Sequence, residues 1–152
     1  MTYSIKMPSQ RSAKKSKLRT YNLVKTKIGM ENYLKINIGS KYRIALTKLR
    51  LSSHTLMIEK GRHLKLDRNL RHCPFCPNEV EDEIHFMITC KNYTADRCEL
   101  FVQMIRIYPT FTHIKEEEKF KMLLTNINIL EKTAQYISKS FEKRDISTEI
   151  RI

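Results

Sequence analysis

The chain has 152 residues, with 29 Lys and Arg against 16 Asp and Glu and a net charge of +13 at neutral pH. That length supports one domain with short tails. Its longest apolar runs are a few residues, which excludes a membrane-spanning helix, and the polar first residues lack the apolar core of a secretory signal. The expectation is an intracellular protein of the nucleus or cytoplasm with no membrane partner.

The charge is unevenly placed. Residues 1–30 hold eight Lys or Arg and no acid, residues 41–72 hold nine against Glu59 and Asp67, and residues 73–90 hold four acids and no Lys or Arg. A positive field of this kind attracts polyanions, of which nucleic acid is the usual one. RNA or DNA is therefore the expected partner, and nothing in the chain points to a small-molecule substrate.

In chain order, residues 1–20 are rich in Lys, Arg and Ser and read as a disordered basic arm. A helical domain is expected over residues 21–144. Leu23, Val24, Ile28, Tyr33 and Leu34 make its start weakly amphipathic, a marginal helix or two punctuated by Gly29 and Gly39. Ser40 suits an N-cap. Ile44, Leu46, Leu49 and Leu51 give the next helix an apolar stripe, ending near Ser52 and Ser53, with Lys41, Arg43, Lys48 and Arg50 on other faces where phosphate can reach them. Leu56 and Ile58 alternate with polar residues, which predicts a short extended piece, and Gly61 is expected at positive φ. Arg62, Arg68 and Arg71 then approach the next segment, facing either its acids or phosphate.

That segment, Cys73 to Cys90, reads CPFCPNEVEDEIHFMITC, a C-x2-C-x8-H-x4-C pattern. Three thiolates and one imidazole suit a single tetrahedral zinc ion, with Cys73, Cys76, His85 and Cys90 as ligands. Pro74 pre-sets part of the turn that aims the first two sulfurs at one point. A disulfide would need an oxidising compartment, and a C-x-x-C redox motif would need a βαβ context that is not visible. His85 and Cys90 are five apart, about 140° around an ideal helix. A short helix from near Glu79 is expected to carry His85 and end before Cys90. Glu81, Asp82 and Glu83 suit its first turn, where the helix dipole favours negative charge. They could also orient the histidine, pair with nearby arginines, or form a solvated face. Cys98, left over, is expected to be a buried thiol.

Thr94 suits the cap of a helix to about Ile107, with Leu100, Phe101, Met104 and Ile105 inward and Pro109 as its stop. A further helix from Thr112 or His113 places Glu116, Glu117 and Glu118 in its first turn and Phe120, Met122, Leu123 and Leu124 inside. Asn126 is expected to cap the last helix, whose stripe is Leu130, Ala134, Ile137 and Phe141. Residues 145–152 read as a tail. The predicted fold is mostly α, short helices around a small Cys3His zinc knuckle-like turn.

The runs LTKLRLSSHTLMIEKGRH, DRNLRHCPFCPNEVEDEIHF and CKNYTADR resemble a zinc-binding region near the C-terminal end of the reverse transcriptases of non-LTR (LINE-type) retrotransposons. The resemblance covers about a third of the chain. It implies the same four metal ligands and contact with element RNA or target DNA. The paired aspartates of a polymerase hairpin are absent, since YTAD at 93–96 is not that motif. The chain is too short for a palm and fingers, and no carboxylate and lysine constellation for an endonuclease follows Cys90. The expectation is a detached or truncated piece that binds nucleic acid, with no catalytic activity of its own. Its candidate contacts are Lys41, Arg43, Lys48, Arg50, Arg62, Arg68 and Arg71, with Tyr42 and Phe75 able to stack on bases. The competing expectation is a protein-interaction module. An open catalytic zinc site is disfavoured, because a filled Cys3His shell leaves no position for water.

Overall fold

The longest helix forms the spine of the chain. In the computed structural model, which describes residues 17–150, the helices are α1 (Arg19–Val24), α2 (Asn32–Lys35), α3 (Ser40–Arg50), α4 (Met57–His63), α5 (Thr94–Ile107), α6 (Glu116–Thr125) and α7 (Leu130–Glu149). Among the described residues there is no strand, only an isolated antiparallel bridge between His72 and Val80. None of these helices is long and apolar enough to cross a membrane.

Helix α7 packs against α3, α5 and α6. Its Leu130, Ala134 and Ile137 are buried at helical spacing, as the periodicity predicts. They meet Leu46 and Leu49 of α3, Leu100 and Met104 of α5, and Phe120, Leu123 and Leu124 of α6 in one core. Each such large side chain contributes about 1.5–3 kcal/mol by leaving water. Phe86 anchors the metal segment in the same core, stacked on Phe141 and edge-on to Tyr93, both at 5.0 Å between centroids.

Several local expectations are corrected. In α3 the buried stripe is Ala45, Leu46, Leu49 and Arg50, while Ile44 and Leu51 are exposed; the two outer residues lie off the face that α7 covers. Residues 57–63 are helical rather than extended, because the Met57 N–H reaches the Glu81 carboxylate and the Ile58 N–H reaches the Glu81 carbonyl, leaving this turn anchored at its start. Gly61 lies inside that helix with ordinary backbone. Its missing side chain makes room for Arg71, whose Cγ lies 2.5 Å from where a Cβ would stand.

Helix α6 begins at Glu116, after a 3₁₀ turn over Pro109–His113 that contains Thr112 and His113. Asn126 ends α6 rather than starting α7: its N–H bonds the Met122 carbonyl, and its Oδ1 accepts from Asn128 N–H. The expected tail is helix as far as Glu149, because Arg144 is tied into the core. The expected arm falls outside the described residues up to residue 16. Its last part is not loose: Arg19 and Thr20 open α1, with Thr20 buried.

Candidate metal centre

The turn that carries Cys73 and Cys76 is closed by its own backbone. Cys73 N–H donates to the Glu79 carbonyl at 2.8 Å, and Glu79 N–H to the Cys76 carbonyl at 3.1 Å. Asn78 supplies the left-handed residue (φ 71°) that reverses the chain, a conformation asparagine tolerates better than most residues.

His85 arrives on a helical turn that starts later than expected, after Asp82. The Asp82 Oδ1 accepts from His85 N–H at 2.8 Å, an N-cap bond. Residues His85–Thr89 then form a π turn. Cys90 N–H donates to the His85 carbonyl at 2.8 Å. This i→i+5 bond resolves the angular problem posed by the five-residue spacing. The widened turn brings Cys90 over His85, where an α-helix would have swung it about 140° away.

All four side chains are buried, and their ligand atoms lie within 4.8 Å of one another. The Cys90 sulfur is 3.8 Å from the Cys73 sulfur and 3.8 Å from the Cys76 sulfur. A tetrahedron with metal–sulfur bonds of about 2.3 Å has edges of about 3.8 Å. The imidazole is prepared on its other side: His85 Nδ1 lies 3.0 Å from Thr89 Oγ1, while Nε2 has no hydrogen-bond partner among the described residues. With the hydrogen on Nδ1 and Thr89 Oγ1 accepting it, the Nε2 lone pair is left for a metal, the usual pattern for a ligating histidine. Arg97 donates to the Cys90 carbonyl at 2.9 Å inside the fold and fixes that end of the cluster. Hydrogen bonding from Cys90 holds the Cys73 thiol down at about 4 against the opposing effect of burial. The shared proton pushes Cys90 up. The donor set therefore fits one metal ion.

The acidic run is neither a solvated face nor mainly a dipole partner. Glu81 takes a bidentate pair from Arg144 at 2.7 and 2.8 Å. Glu83 accepts from Arg19 at 2.7 Å, Ser52 at 3.2 Å and His54 at 3.1 Å. Burial pushes the Glu83 carboxyl up, but His54 and Arg19 outweigh it and hold it at about 2. Asp82 pairs with Arg68 at 2.9 Å.

The candidate phosphate contacts divide. Arg50 is corrected: it is buried, donating to the Leu124 carbonyl at 2.9 Å and to Glu31 at 2.6 Å, and no phosphate can reach it. Arg71 is corrected as well, since its guanidinium bonds the Leu66 and Ile58 carbonyls through all three nitrogens. Arg62 leans on Glu59 and Arg43 on the Ile36 carbonyl. Lys41, Lys48 and Arg68 are exposed; Lys41 meets Glu142 at the surface, and Lys48 has no ion-pair partner among the described residues. Tyr42 and Phe75 are both half-buried against the core. Cys98 is exposed, which corrects the buried thiol: it stands on the outer side of α5, while Arg97 and Leu100 face in.

Sequence reasoning named the four ligands and offered Asp82, with Glu81 and Glu83, as a group that could orient the histidine, but it missed Thr89 and Arg97 as supports. Asp82 three residues before His85 and Thr89 four after it are signals a helical reading carries. Arg97 has none, because its role depends on how α5 packs.

The fold and site define a mostly helical domain pinned by a buried Cys3His cluster able to hold one metal ion. No protein-family model, curated protein or solved structure matches the chain.

Proposed function

We propose that the chain is a zinc-stabilised nucleic-acid-binding module without catalytic activity of its own, related to the zinc segment of non-LTR retrotransposon reverse transcriptases. The observation that carries the metal half is the buried Cys3His donor set, whose ligand atoms lie within 4.8 Å of one another. Thiolate sulfur favours zinc over harder cations, and four protein ligands close the shell. The nucleic-acid half rests on the net charge of +13 and on exposed basic side chains such as Lys48 and Arg68. Phosphate contacts of this kind give affinity with little sequence choice.

The test is metal content of the purified chain, then binding to RNA and DNA oligonucleotides with and without chelator across salt. The reading expects one zinc per chain, binding lost on its removal, and log affinity falling with log salt by about 0.9 for each DNA phosphate contacted. A flat salt response sinks it. A protein-docking module is the second reading, favoured by a largely apolar groove of about 850 Å³ that Met57, Leu64 and Pro74 help to line. It expects a specific protein complex that survives nuclease.

A further inference from the structure

A cleft of about 350 Å³ opens between the end of α3, the connection after it, α4 and α7. Lys17, Lys48, Ser53, His54, His63 and Asp145 help to line it. His54 is the unusual member. Its side chain is 1% exposed, yet Nδ1 has no hydrogen-bond partner among the described residues. A buried polar atom left unmatched is costly and calls for a cause.

The ring is fixed from behind. Nε2 lies 3.1 Å from Glu83 Oε1, so it carries its hydrogen and donates to the carboxylate. Glu83 is itself held by Arg19 and Ser52. Phe141 flanks the ring at 6.2 Å between centroids. Nδ1 is therefore the one hydrogen-bonding atom of the ring left over.

The charges around the cleft select the kind of group that fills it. Lys17 and Lys48 are exposed and have no ion-pair partner among the described residues. Of the two carboxylates in the wall, Glu59 is neutralised by Arg19 and Arg62, each at 2.8 Å. Among the described residues the Asp145 carboxylate has no ion-pair partner and accepts from the Thr55 hydroxyl at 3.5 Å. Two ammonium groups therefore face one unneutralised carboxylate, which disfavours a cation.

We propose that this cleft is an anion site that takes a phosphate group, held by Lys17 and Lys48 and by Nδ1 of His54. A free phosphate supplies what Nδ1 lacks in either ring state, an acceptor oxygen for the protonated ring or a P–OH donor for the neutral one, whereas a backbone phosphodiester supplies only the acceptor oxygen. Its remaining oxygens match compact ammonium charges. The nucleic-acid reading above bears only on the source, a backbone phosphodiester or a free phosphate.

The experiment follows the ring nitrogens of His54 by NMR in the full, metal-loaded chain. Inorganic phosphate is titrated against chloride at matched ionic strength, and an oligonucleotide without terminal phosphate is titrated separately. The expected result is a saturable shift of Nδ1 with phosphate. The doubly substituted Lys17→Gln, Lys48→Gln chain, changed only at the surface, should bind phosphate about tenfold more weakly or worse. A matching shift with the oligonucleotide identifies a backbone phosphate. A shift with inorganic phosphate alone supports the cleft and removes it from the nucleic-acid surface. An oligonucleotide that binds while neither probe moves His54 overturns the cleft and leaves the nucleic-acid reading standing. An undiminished phosphate response in the doubly substituted chain also overturns it.

Discussion

Glu81 and Arg144, 63 positions apart, meet inside the protein in a two-pronged ion pair at 2.7 and 2.8 Å. The pair ties the end of α7 to the segment that delivers the metal ligands. Glu81 also accepts the Met57 N–H at 2.6 Å, so the same carboxylate starts α4.

Replacing Arg144 by Ala leaves Glu81 buried without its counter-ion. Breaking a buried pair from one side typically costs about 3–5 kcal/mol. Urea unfolding of the metal-loaded chain should show a loss of that size, and the double change Glu81→Gln with Arg144→Met should recover part of it. A loss under about 1 kcal/mol for Arg144→Ala, within the range of exposed pairs, would show that the contact carries little.

Gly61→Ala tests a different kind of constraint. The new Cβ would stand 2.5 Å from Arg71 Cγ and 2.9 Å from its Cδ, while Arg71 is held in place by hydrogen bonds to Leu66 and Ile58. Helix propensity alone would favour alanine by about 1 kcal/mol. Overpacking costs about 1–3 kcal/mol, so the expected outcome is a lower melting temperature. A rise in melting temperature would mean that Arg71 moves aside freely.

Thr89→Val removes the partner of His85 Nδ1 while keeping the shape of the side chain. Loss of a hydrogen bond that orients a ligating histidine lowers metal affinity about 10–100-fold. Competition with a chromophoric chelator reads this directly. Unchanged affinity would place the orienting force elsewhere.

Asp96 on α5 pairs with Lys139 at 2.9 Å and Lys143 at 3.0 Å on α7. The hydrogen bond from Lys139, outweighing partial burial, holds its carboxyl below the ordinary value of 3.8. Its contribution is thus present above about pH 4 and disappears as pH falls through the depressed value. Asp96→Asn should cost about 1 kcal/mol or less at neutral pH. The difference from the parent chain should shrink in strong acid and in high salt. A gap that stays constant from neutral pH into strong acid would rule out the charge as its source.

The four ligands were readable because thiolate and imidazole at fixed short spacings have few other uses in one segment. The stripe of α7 was readable because Leu130, Ala134 and Ile137 recur at the helical period. His85 and Cys90 were readable as ligands but not as a geometry, since the i→i+5 turn that joins them, with Phe86, Met87 and Ile88 buried inside it, has no signature in the spacing. Arg50 and Arg71 look like their exposed neighbours in sequence. Burial against Leu124 separates Arg50, and bonds to the Leu66 and Ile58 carbonyls beside Gly61 separate Arg71.

By itself, the order of residues determined a helical chain, an excess of positive charge and a Cys3His donor set, because periodicity, charge and ligand chemistry are properties of short segments. Only the tertiary structure decided which charges face inward. Glu81, Glu83, Arg19 and Arg144 come from three separate stretches, and a charge leaves water at tolerable cost only where an opposite charge or well-placed hydrogen-bond partners are brought to it.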